Sequence, residues 1–87
     1  MTATVLSDVK NAAKGLIESN GRTKIKKVPT LQETVQSILN ARTPARKAHA
    51  TRRLRSYAVH HAKKTGSTPT RIIAGVCAVV TKRLQSV

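Results

Sequence analysis

The 87-residue chain carries seventeen Lys/Arg against three Asp/Glu, a formal net charge of +14, with one Tyr and no Phe or Trp. That length supports one modest domain, residues 1–87, whose alanine-rich core gains little per residue and could be completed by self-association. The lone Cys77 excludes an intramolecular disulfide framework; the apolar run Ile72 to Val80 is too short for a bilayer span, and the N-terminus reads as no signal peptide.

Helix punctuation divides the chain into four segments. Over residues 3–19, Val5, Val9, Ala12, Ala13, Leu16 and Ile17 recur at helical spacing, and Asn20-Gly21 supplies a stop. The charges of this first helix balance internally, Lys10 and Lys14 against Asp8 and Glu18, which marks it as structural. Residues 22–28 form a basic linker. Thr30 with Glu33 three positions on reads as a capping box, with Val28 and Pro29 guiding the chain into it. A helix over 31–41 then places Leu31, Val35, Ile38 and Leu39 on one face.

Thr43-Pro44 repeats the start signal and opens a helix over 44–64, which Gly66 ends. Thr68-Pro69 opens the last helix, 69–84, with Lys82 and Arg83 in its final turn, where cations suit the helix dipole. Its β-branched residues would also suit a strand, but the proline start and the segment length favour a helix. The fold class expected is all-α, a small bundle of about four helices. The apolar C-terminal helix serves as its core or as an oligomer surface. Ala74, Gly75 and Ala78 allow close helix contact there, and Cys77 reads as a small buried hydrophobe.

The third helix carries the functional signal. From Arg42 to Lys64 there are eight Lys/Arg (Arg42, Arg46, Lys47, Arg52, Arg53, Arg55, Lys63, Lys64) and no acid; none occurs anywhere after Glu33. At about 100° per residue, Arg46, His49, Arg53, His60 and Lys64 share one sector, with Arg52 and Lys63 at its edge. Thr51, Leu54, Ala58 and Ala62 lie opposite as a thin apolar seam, with His61 nearby and Tyr57 on its flank. A face of about 30 Å suits several phosphates along a groove or strand. A solvated face does not require the removal of every acid; a polyanion partner accounts for that omission.

Ala62, Gly66 and Ile72 have the offsets that resemble a helix-turn-helix unit with its turn at Thr65 to Thr68. That resemblance implies a reading helix whose N-terminal Thr70 and Arg71 enter the major groove. The chain departs from the pattern at Gly75, where a second aliphatic is expected, and in the apolar character of the segment that would read bases.

Catalytic chemistry finds little material. Asp8 and Glu18 sit in a balanced helix and Glu33 serves a cap, so no carboxylate pair is available for acid–base work. Cys77 lies in an apolar context, distant from histidine. The three histidines and one cysteine show no compact ligand spacing, and no glycine-rich phosphate loop occurs. The expectation is therefore a protein that is not an enzyme and needs no cofactor or metal.

One aromatic residue is too few for base-by-base stacking on a single strand. The partner expected is duplex DNA, slightly favoured, or structured RNA, bound through its phosphates and largely without sequence preference. The candidate contact set is Arg42, Arg46, Lys47, His49, Arg52, Arg53, Arg55, His60, Lys63, Lys64 and Arg71, with Arg22, Lys24, Lys26 and Lys27 as a basic arm. The alternative is a small interaction, inhibitor or assembly protein that docks the same face onto an acidic protein. A homo-oligomer without a membrane span fits both, in the cytoplasm, on a nucleoid or inside a virion.

Overall fold

Three threonines open three of the four helices in the computed structural model, which describes residues 2–19 and 28–85. Thr30 Oγ1 accepts from the Glu33 N–H (3.1 Å), Thr43 Oγ1 from the Arg46 N–H (3.2 Å), and Thr68 Oγ1 from the Arg71 N–H (3.3 Å). Each satisfies an N–H that the first turn leaves without an intrahelical acceptor. The helices are α1 (Thr2–Ser19), α2 (Leu31–Leu39), α3 (Pro44–Thr65) and α4 (Pro69–Gln85), and no strand occurs among the described residues. The all-α four-helix bundle expected from the punctuation is the observed fold.

The ends follow local chemistry. Helix α2 stops two residues earlier than the sequence predicts: Asn40 forms its C-cap, and the Ala41 N–H reaches back to the Ile38 carbonyl at 3.2 Å. Helix α3 ends on Gly66 at φ +71°, ψ +20°, with the Ser67 N–H bonded to the Ala62 carbonyl at 3.0 Å. That left-handed conformation is open to glycine at little cost.

The core is aliphatic. Val9 and Ala13 from α1, Val35 and Ile38 from α2, Ala50, Leu54 and Ala58 from α3, and Ile73, Val76, Cys77 and Val80 from α4 form one buried cluster, which Ala41 joins. Two threonines share this interior without leaving a hydroxyl unpaired: Thr34 Oγ1 donates to the Thr30 carbonyl and Thr51 Oγ1 to the Lys47 carbonyl, each at 2.9 Å. Ala12 and Leu31, expected on the apolar faces, are exposed; Leu31 is the first residue of α2 and Pro29 is buried beside that entry.

Helix α4 contributes to the core, but α3 occupies the hub and packs extensively against all three other helices. Its buried residues are Ala50, Thr51, Leu54, Ala58 and Ala62, and the small side chains let neighbours approach closely around Leu54. The outer face of α4 is bare. Ala74, Gly75 and Ala78 are exposed, and a Cβ at Gly75 would meet nothing within 4 Å, so packing inside the bundle does not account for this glycine.

Candidate nucleic-acid interface

Twenty-two helical residues give α3 a length of about 33 Å, comparable to the longest dimension of the molecule, 34 Å. Along that length the buried seam fixes which cations face outward. Arg46, His49, Arg52, Lys63 and Lys64 are exposed; Arg53 and His60 are half-buried within the same stripe. Arg42 is exposed just before α3, and Arg71 is exposed in the first turn of α4. Lys63 and Lys64 also occupy the last turn of α3, where they complement its carbonyl end.

Two of the expected contact residues belong to the other side of the helix. Lys47 lies in line with Thr51 and Leu54, one and two turns on, and its Nζ sits 3.2 Å from Asp8 Oδ2 of α1. Asp8 is thus engaged across a helix interface, whereas the sequence alone balanced it within α1. Arg55 flanks the buried seam and is half-buried. Arg22, Lys24, Lys26 and Lys27 lie outside the described residues.

Arg53 has a defined place. Its Nη1 donates to Ser37 Oγ of α2 at 2.8 Å, and Ser37 Oγ donates in turn to the Glu33 carbonyl at 2.9 Å. The guanidinium is therefore oriented by the α2–α3 contact and keeps donors for a ligand. This contact forms the middle of a shallow groove between the two helices. One section is lined by Pro29, Glu33, His49, Arg52, Arg53 and Ser56, and its far end by Ser37, Asn40, Arg46 and His49.

The contribution of α2 is absent from the sequence-based set. Glu33, Ser37 and Asn40 recur at helical spacing on the polar side of α2, and that periodicity is the signal that would have found them. Among the described residues, Glu33 is the one acid lining this groove. It also serves the cap, where Thr30 Oγ1 donates to its Oε1 at 3.4 Å.

The histidines divide. His49 lines the groove. His60 and His61, adjacent on α3, meet edge-on with ring centroids 5.3 Å apart, and His61 also lies against Tyr57 at 4.1 Å. Burial, then the charges of His60 and Lys64, push the His61 imidazole below its ordinary pKa, which favours its neutral form. Tyr57 is half-buried and packs against the core, so its ring belongs to the rim of the bundle.

Among the described residues no group of three His, Cys, Asp or Glu is arranged to hold a metal ion, and no helix is long and apolar enough to cross a membrane. The buried Cys77 thiol is pushed up by desolvation, opposed by the charges of Lys10 and Lys14, and is held as the protonated species. The α3–α4 turn has the helix-turn-helix order, with Thr70 and Arg71 exposed, Ile73 fully buried and Ile72 half-buried. In the two turns after Arg71 the exposed face consists of Ala74, Gly75 and Ala78, which offer no hydrogen-bonding side chain to a base edge. No protein-family model, curated protein or solved structure matches this chain.

Proposed function

We propose that this chain is a non-enzymatic nucleic-acid-binding protein that lays the exposed side of α3 along a phosphate backbone. The observation that carries the reading is that Arg46, Arg52, Lys63 and Lys64 are exposed on a helix whose opposite side is committed to the core. An acid-free sequence follows them to the C-terminus. Helix burial holds the long cationic side chains to one side, and each contact releases counterions from the polyanion. Arg42 and Arg71 extend the footprint at its two ends, and Arg22, Lys24, Lys26 and Lys27 supply a basic arm. Duplex DNA is the favoured partner, with structured RNA second, because the face offers charge over a rigid length and little that reads bases.

The bare Ala74, Gly75 and Ala78 face of α4 supports self-association on the polyanion, where the charge of +14 is neutralised. Such a protein would work wherever nucleic acid is compacted or handled: the cytoplasm, a nucleoid or a virion interior. The second reading is docking of the same face onto an acidic protein. The pre-oriented Arg53 supports it equally, because a fixed guanidinium suits a carboxylate as well as a phosphate.

The test is a titration of the full chain against duplex DNA, structured RNA and an acidic protein at two salt concentrations. Nucleic-acid binding that weakens steeply with salt supports the first reading. Stoichiometric binding to the acidic protein, with no affinity for either nucleic acid, replaces it with the second.

A further inference from the structure

The α2–α3 groove is not uniform. Toward Pro29 it is lined by the Glu33 carboxylate beside Arg52 and Arg53; at its other end, a concavity of about 280 Å³, it is lined by Ser37, Asn40, Arg46 and His49 and has no acid. The donors converge at that second end from both helices. Arg46 brings a guanidinium and His49 a ring N–H. Asn40 Oδ1 accepts from Gln36 Nε2 at 3.4 Å, so its amide NH2 remains to donate. Ser37 spends its proton on the Glu33 carbonyl and its lone pair on Arg53, so it positions that arginine and donates nothing to a ligand.

From this arrangement we infer that the Asn40–Arg46–His49 end of the groove is a seat for one tetrahedral phosphate group. Within the nucleic-acid reading, on which this deepening rests, the occupant is a single phosphodiester of the backbone. The seat would turn a diffuse attraction into a fixed register. A cationic helix face alone lets a polyanion slide, whereas a group gripped by a planar guanidinium, an amide and an imidazole is held in orientation as well. The Glu33 carboxylate lines the two neighbouring sections, one of which shares Ser37 and Asn40 with the seat, and it disfavours a phosphate there relative to the end that Arg46 and His49 complete. The same donors would take inorganic phosphate, and the two sources are separated by the experiment.

The full chain is titrated with inorganic phosphate at constant ionic strength, following the Asn40 side-chain amide and the His49 ring by NMR. Lys63 and Lys64, at the other end of α3, serve as the internal control. The expected result is a saturable shift at Asn40 and His49 and none of that form at the lysines. Asn40→Asp keeps the size of the cap residue and places a carboxylate in the seat; Asn11→Asp makes the same exchange on the exposed side of α1. Asn40→Asp is expected to weaken phosphate and duplex binding by about tenfold or more, the scale of one lost charge-assisted hydrogen bond, while Asn11→Asp stays within about twofold of the parent. Arg46→Gln, whose exposed side chain leaves the helix intact, gives a second variant with the same expected loss. Equal effects of the two aspartates, or phosphate shifts that are uniform and non-saturating along α3, overturn the seat. Duplex binding that persists in that case leaves the nucleic-acid reading standing. Saturable phosphate binding without duplex binding keeps the seat and removes the nucleic acid.

Discussion

Arg53 and Ser37, sixteen positions apart, are joined by a 2.8 Å hydrogen bond that ties the cationic side of α3 to the polar side of α2. The bond gives Arg53 two roles, one in the α2–α3 contact and one in the basic face. Nearby exposed cations have only the second. That difference decides which substitutions test binding and which disturb the fold.

Reversing Arg46, Arg52 and Lys64 together to glutamate is expected to abolish binding to duplex DNA while far-UV circular dichroism remains that of the parent. All three side chains are exposed, and surface substitutions of this kind change stability by only about 0.5 kcal/mol each. Arg53→Glu places a carboxylate near the Ser37 hydroxyl and the Glu33 carboxylate, and is expected to lower the melting midpoint as well as the affinity. Retained duplex binding in the triple variant rules out this face.

Salt reports the number of contacts. If Arg42, Arg46, Arg52, Lys63 and Lys64 each neutralise one phosphate of a B-form duplex, log K plotted against log salt falls with a slope of about −4.5. Replacing Lys64 by glutamine should reduce that slope by about one and weaken binding equally for unrelated sequences. A flat response in fluorescence anisotropy contradicts a phosphate-bound mode.

Two glycines, one capping α3 and one inside α4, are expected to respond in opposite directions to the same substitution. Gly66→Ala forces a Cβ into the left-handed region at φ +71° and should destabilise by about 1–2 kcal/mol. Gly75→Ala adds a Cβ where nothing lies within 4 Å, inside a regular helix, and should stabilise by about 0.5–1 kcal/mol. Urea denaturation of the two variants measures both. The Gly75 position also reports on self-association: a variant that gains monomer stability but loses oligomer on sedimentation identifies α4 as the contact between copies.

Acid should loosen the Tyr57–His61 contact. Burial, with His60 and Lys64, lowers the His61 pKa in the folded state from its ordinary 6.5, so the unfolded chain binds the proton more readily. The stability held by neutral His61 is complete above pH 6.5 and declines as pH falls from there through the lowered folded value. Thermal melts at stepped pH, followed through the single tyrosine, should show this decline, and His61→Gln should flatten it. A melting midpoint that rises on acidification over this window reverses the assignment.

The helix starts after Thr30, Thr43 and Thr68, and the end of α3 at Gly66, were legible because their causes are local, whereas the end of α2 at Asn40 carried no such signal. Each Thr–Pro pair or Thr–Glu box specifies where a turn can begin, and a glycine in the left-handed region specifies where one ends; both act within about four residues. The apolar seam of α3 was legible for the same reason, since periodicity alone places Thr51, Leu54, Ala58 and Ala62 on one side. The basic face came with it as the complement of that seam.

Relations between helices were not legible. Asp8 with Lys47 and Ser37 with Arg53 are pairs from different elements, and a helical wheel carries no information about which neighbour lies against a given sector. The sequence alone determined an acid-free cationic helix, its caps and its apolar seam, because these follow from backbone geometry and spacing. Only the tertiary structure decided that α3 is the hub, that Lys47 is spent on α1, and that α2 supplies the polar wall of a groove. Packing decides which amphipathic faces meet, and α3 is the helix whose Leu54 is fully buried at their junction.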